Sequence, residues 1–300
     1  MSTSFTSRRA LRGLGALVAT AALFLTAACG SSAPGDGSAD KPVKIGVADA
    51  AEPYWQVYQA KAEEAGIQVE LVNFSDYNQP NPALSQGQLD LNEFQHLQYL
   101  AAYNVESDDD LTPIGATAVY PLPLYSKKYQ SAEQLPAGAK VAIPNDPTNQ
   151  ARALLVLQAA KLITLTDGGN SLSTPADVQP DSKVEVVPVD ASQTANNLAS
   201  VDAAVVNNNY ATAAKLTDDN VIYADDVNAE EFKPYINVFV SRAEDKDNTT
   251  YTKLAELYHD PEVVEAVKKD LGAGGTFKTN STDDLEQTLA TIEDDVRAAG

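Results

Sequence analysis

The chain has 300 residues and carries 42 Asp and Glu against 21 Lys and Arg, a formal net charge of −21. A field of that sign argues against nucleic acid and against adhesion to anionic lipid head groups, so any anionic ligand needs a local basic group. The single cysteine, Cys29, excludes an internal disulfide.

In chain order, Arg8, Arg9 and Arg12 come first, then an apolar run over 14–28, then Cys29 and a Gly/Ser/Pro-rich run over 30–40. A basic region, an apolar region and small residues in that order form an export signal. The apolar run falls short of the ~20 residues that span a bilayer. Leu25-Thr26-Ala27-Ala28-Cys29 resembles the lipobox of bacterial lipoproteins, with Thr26 where leucine is usual. The resemblance implies a signal peptide over 1–28, removed to leave Cys29 as a lipidated first residue. A single acyl chain anchors only marginally, and the diacylglycerol that lipoproteins of this type carry meets that need. The expected location is the extracytoplasmic face of the cell membrane, with 29–41 as a flexible tether.

The body alternates β-like runs with helical stretches. A strand is predicted over 44–47, then a helix over 53–65 with Tyr54, Val57 and Tyr58 at helical spacing. A strand over 69–74, a short helix over 81–87 and a helix over 92–103 follow. The β-like segment 114–125 contains Pro121 and Pro123, which marks an edge strand or a crossover. After a strand over 140–144, Asp146-Pro147 sets a cap and a first helical position for a helix reaching about 160. A strand over 184–189, a helix over 192–200, a buried strand over 203–206 and a β-like run over 235–241 come next. Helices over 248–258, 261–271 and 282–299 close the chain.

Strands alternating with helices predict α/β lobes with mostly parallel sheets. The proline-marked segments near 121–125 and 234–240 predict two lobes joined by two crossing strands. Lobe 1 would comprise 42–125 plus 238–300, and lobe 2 would comprise 126–237. The cleft between them is the expected binding site. Catalytic signatures are absent from the sequence: there are two histidines, His96 and His259, and no nucleophile elbow, P-loop or zinc-binding helix pattern. Asp108-Asp109-Asp110 lacks the alternate spacing of a calcium loop and reads as a solvated turn. No enzyme activity, cofactor or metal is expected.

Several stretches resemble the methionine-binding lipoproteins of bacterial ABC importers, the MetQ/NlpA family. They include 73–77 with Gln79-Pro80-Asn81, Phe94-Gln95-His96 with Tyr99-Leu100, and 125–128. Ile143-Pro144-Asn145-Asp146-Pro147-Thr148-Asn149 followed by Arg152-Ala153-Leu154-Leu155 is the most specific, and 207–211 and 234–237 complete the set. The resemblance implies a two-lobed periplasmic-binding-protein fold (type II-like) closing on a free amino acid, with L-methionine as ligand and an ABC permease and its ATPase as partners. It also implies a thioether pocket at Tyr77, Phe94, His96 and Tyr99, a carboxylate partner at Arg152, and polar head-group contacts from Asn207 and Asn237. The chemistry agrees: sulfur favours aromatic neighbours, and arginine can hold a carboxylate bidentately. Glu93 and the stretch 48–55 depart from the family pattern, which points to an altered rim around Glu93 and Trp55. The same fold binding D-methionine, a methionine-containing dipeptide or another small amino acid stays open, as does a surface interaction role.

Overall fold

The computed structural model describes residues 34–227, 230–271 and 274–299. The signal peptide, Cys29 and the start of the tether lie outside the described residues. Residues 34–41, read as the end of a flexible tether, are held against the body. The Gly35 amide donates to Asp90 Oδ1 at 2.9 Å, Tyr251 Oη donates to the Gly35 carbonyl at 3.3 Å, and the Gln68 amide donates to the Gly37 carbonyl at 2.7 Å. Nothing in the composition of this polar stretch announced partners so distant in sequence.

The first part of the chain runs β1 (Val43–Val47), α1 (Tyr54–Glu64), β2 (Val69–Asn73), α2 (Pro80–Ser85), β3 (Leu91–His96), α3 (Leu97–Ser107) and β4 (Thr112–Ala116). A short β5 (Ala118–Val119) precedes the crossing at Pro121 and Pro123. The second part runs β6 (Leu124–Tyr125), β7 (Ala139–Pro144), α4 (Pro147–Ala159), β8 (Val184–Val189), α5 (Thr194–Asn197), β9 (Ala203–Val205), α6 (Asn208–Ala213) and β10 (Val221–Tyr223). The chain then returns through β11 (Asn237–Ser241), α7 (Thr249–Leu257), α8 (Pro261–Leu271), β12 (Thr276–Phe277) and α9 (Thr282–Ala299).

Two five-stranded sheets result, ordered β2-β1-β3-β11-β4 and β10-β6-β9-β7-β8. In the first, β1 is parallel to β2 and β3, whereas β11 is antiparallel to β3 and β4. In the second, β7 is parallel to β8 and β9, and β6 is antiparallel to β9 and β10. Parallel pairs need crossover connections, which place helices over the faces of the sheets. One face of the first sheet packs Trp55, Tyr58, Phe239, Tyr251 and Tyr258, and the other packs Leu84, Leu97, Leu100 and Leu285. The second sheet has its own core around Leu124, Ile143, Leu154 and Leu157.

Three readings of the sequence change. Residues 92–96, expected as the start of the helix over 92–103, belong instead to β3, because their backbone pairs with β1 on one side and β11 on the other; pairing overrides the helical spacing of Phe94 and Leu97. Leu124–Tyr125 pairs with β9 in the second sheet, so the crossing precedes 124 rather than 126. Asn237 pairs with His96 in the first sheet, and the preceding turn of 3-10 helix contacts α3 and α9, so the return precedes 237. The segment 114–125, expected as an edge strand or a crossover, begins in β4 at the sheet edge and ends in β6 of the second sheet.

Candidate functional site

Phe94 and His96 alternate at the carboxyl end of β3, where a strand meets the space between the sheets. A buried amide network fixes that strand end. Asn81 Nδ2 donates to Gln95 Oε1 at 2.7 Å, Asn92 Nδ2 donates to Asn81 Oδ1 at 2.9 Å, and Gln95 Nε2 donates to Asn92 Oδ1 at 2.9 Å. Asn81 and Gln95 are thus scaffold residues of the quoted motifs. They fix the strand end, and Gln95 also borders the cleft.

His96 caps α3: its Nδ1 accepts the Tyr99 amide at 3.1 Å. That acceptor role puts the ring proton on Nε2, which lies 3.4 Å from Asn149 Oδ1. Burial, helped by the Arg152 charge, pulls the imidazole down to about 3, so His96 is neutral near pH 7. The cap also brings Tyr99 back over the strand end, beside Phe94 and His96. Phe94 and Tyr99 meet edge-on at 5.7 Å between ring centroids, Tyr77 stands 5.9 Å from Phe94, and His96 packs on Tyr235 at 5.2 Å. Tyr210, on α6, packs against Tyr77 at 5.0 Å between ring centroids.

The polar side of the cleft comes from the second sheet. Asp146 caps α4 by accepting the Asn149 amide at 3.0 Å, as the Asp-Pro pair predicts. Asn149 Nδ2 donates to the same carboxylate, and Asn149 Oδ1 accepts Asn207 Nδ2 at 3.0 Å. Asn207 sits at the cap position of α6 but makes no cap hydrogen bond, being turned to Asn149 instead. Its Oδ1 and the Nδ2 of Asn209 are buried without a partner. Tyr77 Oη donates to Asn209 Oδ1, and Tyr210 Oη donates to the Ser75 carbonyl at 3.1 Å, so both sides of the cleft are hydrogen-bonded directly to one another.

Arg152 departs from its expected geometry. Its Nε and Nη2 both donate to Asp225 Oδ2, at 3.1 and 2.7 Å, and Nη2 also donates to the Tyr120 carbonyl at 2.8 Å. The guanidinium carbon lies 4.5 Å from the Tyr235 ring centroid. Both side chains of the ion pair are almost fully buried, at 7% and 9% exposure. One edge of the fork is therefore spent on Asp225, and among the described residues Nη1 alone makes no hydrogen bond. Asp225 was not foreseen, since no local pattern ties it to a helix many residues earlier.

Tyr77, Phe94, His96, Tyr99, Arg152, Asn207 and Asn237 all line one cleft, continuous with solvent. Glu93 and Asp49 line it as well. Trp55 does not: it is fully buried in the core and reaches the cleft only by donating Nε1 to Asp49 Oδ1 at 2.8 Å. Among the described residues no His/Cys/Asp/Glu group has the arrangement of a metal site.

Residues 43–279 match the NlpA lipoprotein family. The chain belongs to that family. The probable D-methionine-binding lipoprotein MetQ of Haemophilus influenzae is 38% identical over 270 residues, covering 88% of this chain and 97% of the relative. Among solved structures, a nutrient-binding protein from Burkholderia cenocepacia bound to methionine superposes with a TM-score of 0.73 at 38% identity, covering 79% of this chain and 99% of that one. The substrate-binding protein of a methionine transporter from Streptococcus pneumoniae does so with a TM-score of 0.73 at 34% identity, covering 79% and 95%. The fold is thus the two-lobed α/β fold of periplasmic substrate-binding proteins, and the chain is a substrate-binding protein of the ABC-transporter type, not an enzyme.

Proposed function

We propose that the cleft captures free methionine, the L form included, and that the protein delivers it to a membrane permease with an ATPase partner. The observation that carries this reading is the meeting, in one cleft, of an aromatic wall and a set of unspent polar groups. Tyr77, Phe94 and Tyr99 offer ring edges and faces to a thioether, each contact stabilising by ~0.3–1.5 kcal/mol. Arg152 Nη1 faces the carboxylate. Asn207 Oδ1, Asn209 Nδ2 and Asn237 supply acceptors and donors for an amino-acid head. The names of the relatives support methionine, and those printed as D-methionine-binding keep the stereochemistry an experimental matter.

Lobe closure follows from ligand contacts to both sides, a population shift toward the closed form. We assign the hinges to the crossing at 120–123 and the return after β10. The lipidated Cys29 would hold the protein at the extracytoplasmic face of the membrane. The test is mass spectrometry of small molecules released on denaturing the purified 30–300 protein, followed by calorimetry of L- and D-methionine on the emptied protein. Stoichiometric methionine, or tight rebinding of either enantiomer, is expected. Release of a different amino acid, with no methionine binding, overturns the reading.

A further inference from the structure

Phe94 and its predecessor leave β3 in opposite directions. Phe94 joins the aromatic wall, whereas Glu93 points to Thr117, whose Oγ1 donates to Glu93 Oε1 at 3.0 Å. Glu93 is only 7% exposed, yet it lines the cleft, and its other carboxyl oxygen has no hydrogen-bond partner among the described residues. Asn237 borders the same spot. The amide of Thr117 donates to the Asn237 carbonyl at 2.8 Å, and Asn237 Nδ2 donates to the Ala118 carbonyl at 3.1 Å, which leaves Asn237 Oδ1 as a second unspent acceptor. Asp49 stands near, but both its oxygens are taken, Oδ1 by Trp55 Nε1 and Oδ2 by Tyr54 Oη at 3.0 Å. This neighbouring buried carboxyl adds negative field at Glu93.

We infer that Glu93, with Asn237, is the ammonium-receiving group of this cleft, and that it selects ligands carrying a positively charged amine. This rests on the methionine reading and deepens it. An ammonium has three hydrogens to place, and three residues lining the cleft hold an acceptor with no partner among the described residues: the second Glu93 oxygen, Asn237 Oδ1 and the buried Asn207 Oδ1. A buried carboxylate binds a cation far more tightly than it binds a neutral group, since the pair is screened little. Two sources fit this chemistry: the α-amine of a free amino acid, or the N-terminal amine of a short peptide ending in methionine.

Burial, then the Asp49 charge, pushes the Glu93 carboxyl up to about 8. The groups facing it are Asp49 after β1, Tyr54 and Tyr58 on α1, Thr117 and Tyr120 beyond β4, and Tyr258 at the end of α7. None of these is a cation. At pH 7 the unliganded side chain therefore holds a proton, and an arriving ammonium drives that proton off.

The experiment is calorimetry at pH 7 in phosphate and in Tris, with wild type, Glu93→Gln and Glu93→Ala. The probes are methionine, glycylmethionine, N-acetylmethionine and the amine-free 4-(methylsulfanyl)butanoate. Wild type should release a substantial fraction of one proton on binding an amine-bearing probe and almost none with the amine-free acid. Glu93→Gln should weaken the amine-bearing probe by at least about tenfold, abolish the proton release and leave the amine-free acid unchanged. If the α-amine is the source, methionine carries the loss and glycylmethionine binds poorly; if a peptide terminus is the source, the ranking reverses. Equal losses on all probes, or no proton release by wild type, overturn the inference while leaving methionine binding intact. Failure of wild type to bind any probe overturns the methionine reading, and the inference with it. The proton release and the amine-free probe are read on wild type, so neither depends on a variant folding.

Discussion

Arg152→Met separates the stability role of the arginine from its role toward a ligand. The guanidinium makes three hydrogen bonds in the structure, two to Asp225 Oδ2 and one to the Tyr120 carbonyl, and lies over Tyr235. Methionine at 152 retains most of the packing but strands the Asp225 carboxylate. Breaking a buried ion pair from one side costs ~3–5 kcal/mol. Asp225 Oδ1 also accepts the Leu122 amide at 2.7 Å, so the crossing segment loosens with it. The ligand carboxylate separately loses a charge-assisted bond worth ~1.5–3 kcal/mol, about 10- to 150-fold in affinity. The double variant Arg152→Met/Asp225→Asn removes both charges, and the substituted amide can still accept from the Leu122 amide through its carbonyl oxygen. Urea unfolding should show the single variant destabilised and the double variant recovering at least ~2 kcal/mol. Calorimetry should show both binding methionine at least about tenfold more weakly than wild type. Recovery of affinity together with stability would refute the reasoning, because it would make Arg152 a structural partner of Asp225 and nothing more.

Phe94→Ala should weaken methionine by about tenfold and narrow its advantage over norleucine, which has a methylene in place of sulfur; calorimetry with both ligands checks this. His96 is held near 3, below its unfolded value, so its contribution is intact above ~6.5 and stability is lost as pH falls toward 3. His96→Asn, which retains a capping side chain, should flatten that acid slope in unfolding titrations. Glu93 has the opposite sign: its folded value of about 8 lies above the unfolded one, so stability is lost as pH rises from ~4.5 through 8, and Glu93→Gln should remove that decline. Cys29→Ser should move the protein from the membrane fraction to the soluble fraction, and retention in the membrane would argue against lipid anchoring.

Local signals in the sequence carried much of this protein. Asp146-Pro147 set the start of α4, because a cap and a fixed φ act within one turn. Pro121 and Pro123 marked the crossing, because a missing N–H cannot be hidden in a sheet. The seven residues named from the motif resemblance are among those that line one cleft. Their spacing alone could not have grouped them, since Arg152 and Phe94 meet only after the chain has crossed between sheets.

What the tertiary structure decided is everything that depends on a distant partner. β3 is a strand because β1 and β11 pair with it, although its apolar spacing also suits a helix. The Nε edge of Arg152 faces Asp225 and not a ligand, because a buried guanidinium must be neutralised by whichever carboxylate the fold brings near. Trp55 belongs to the core and Glu93 to the cleft, although both lie where the sequence departs from the family pattern. Residue type determines which groups a side chain can offer; only packing determines which of them are spent before a ligand arrives.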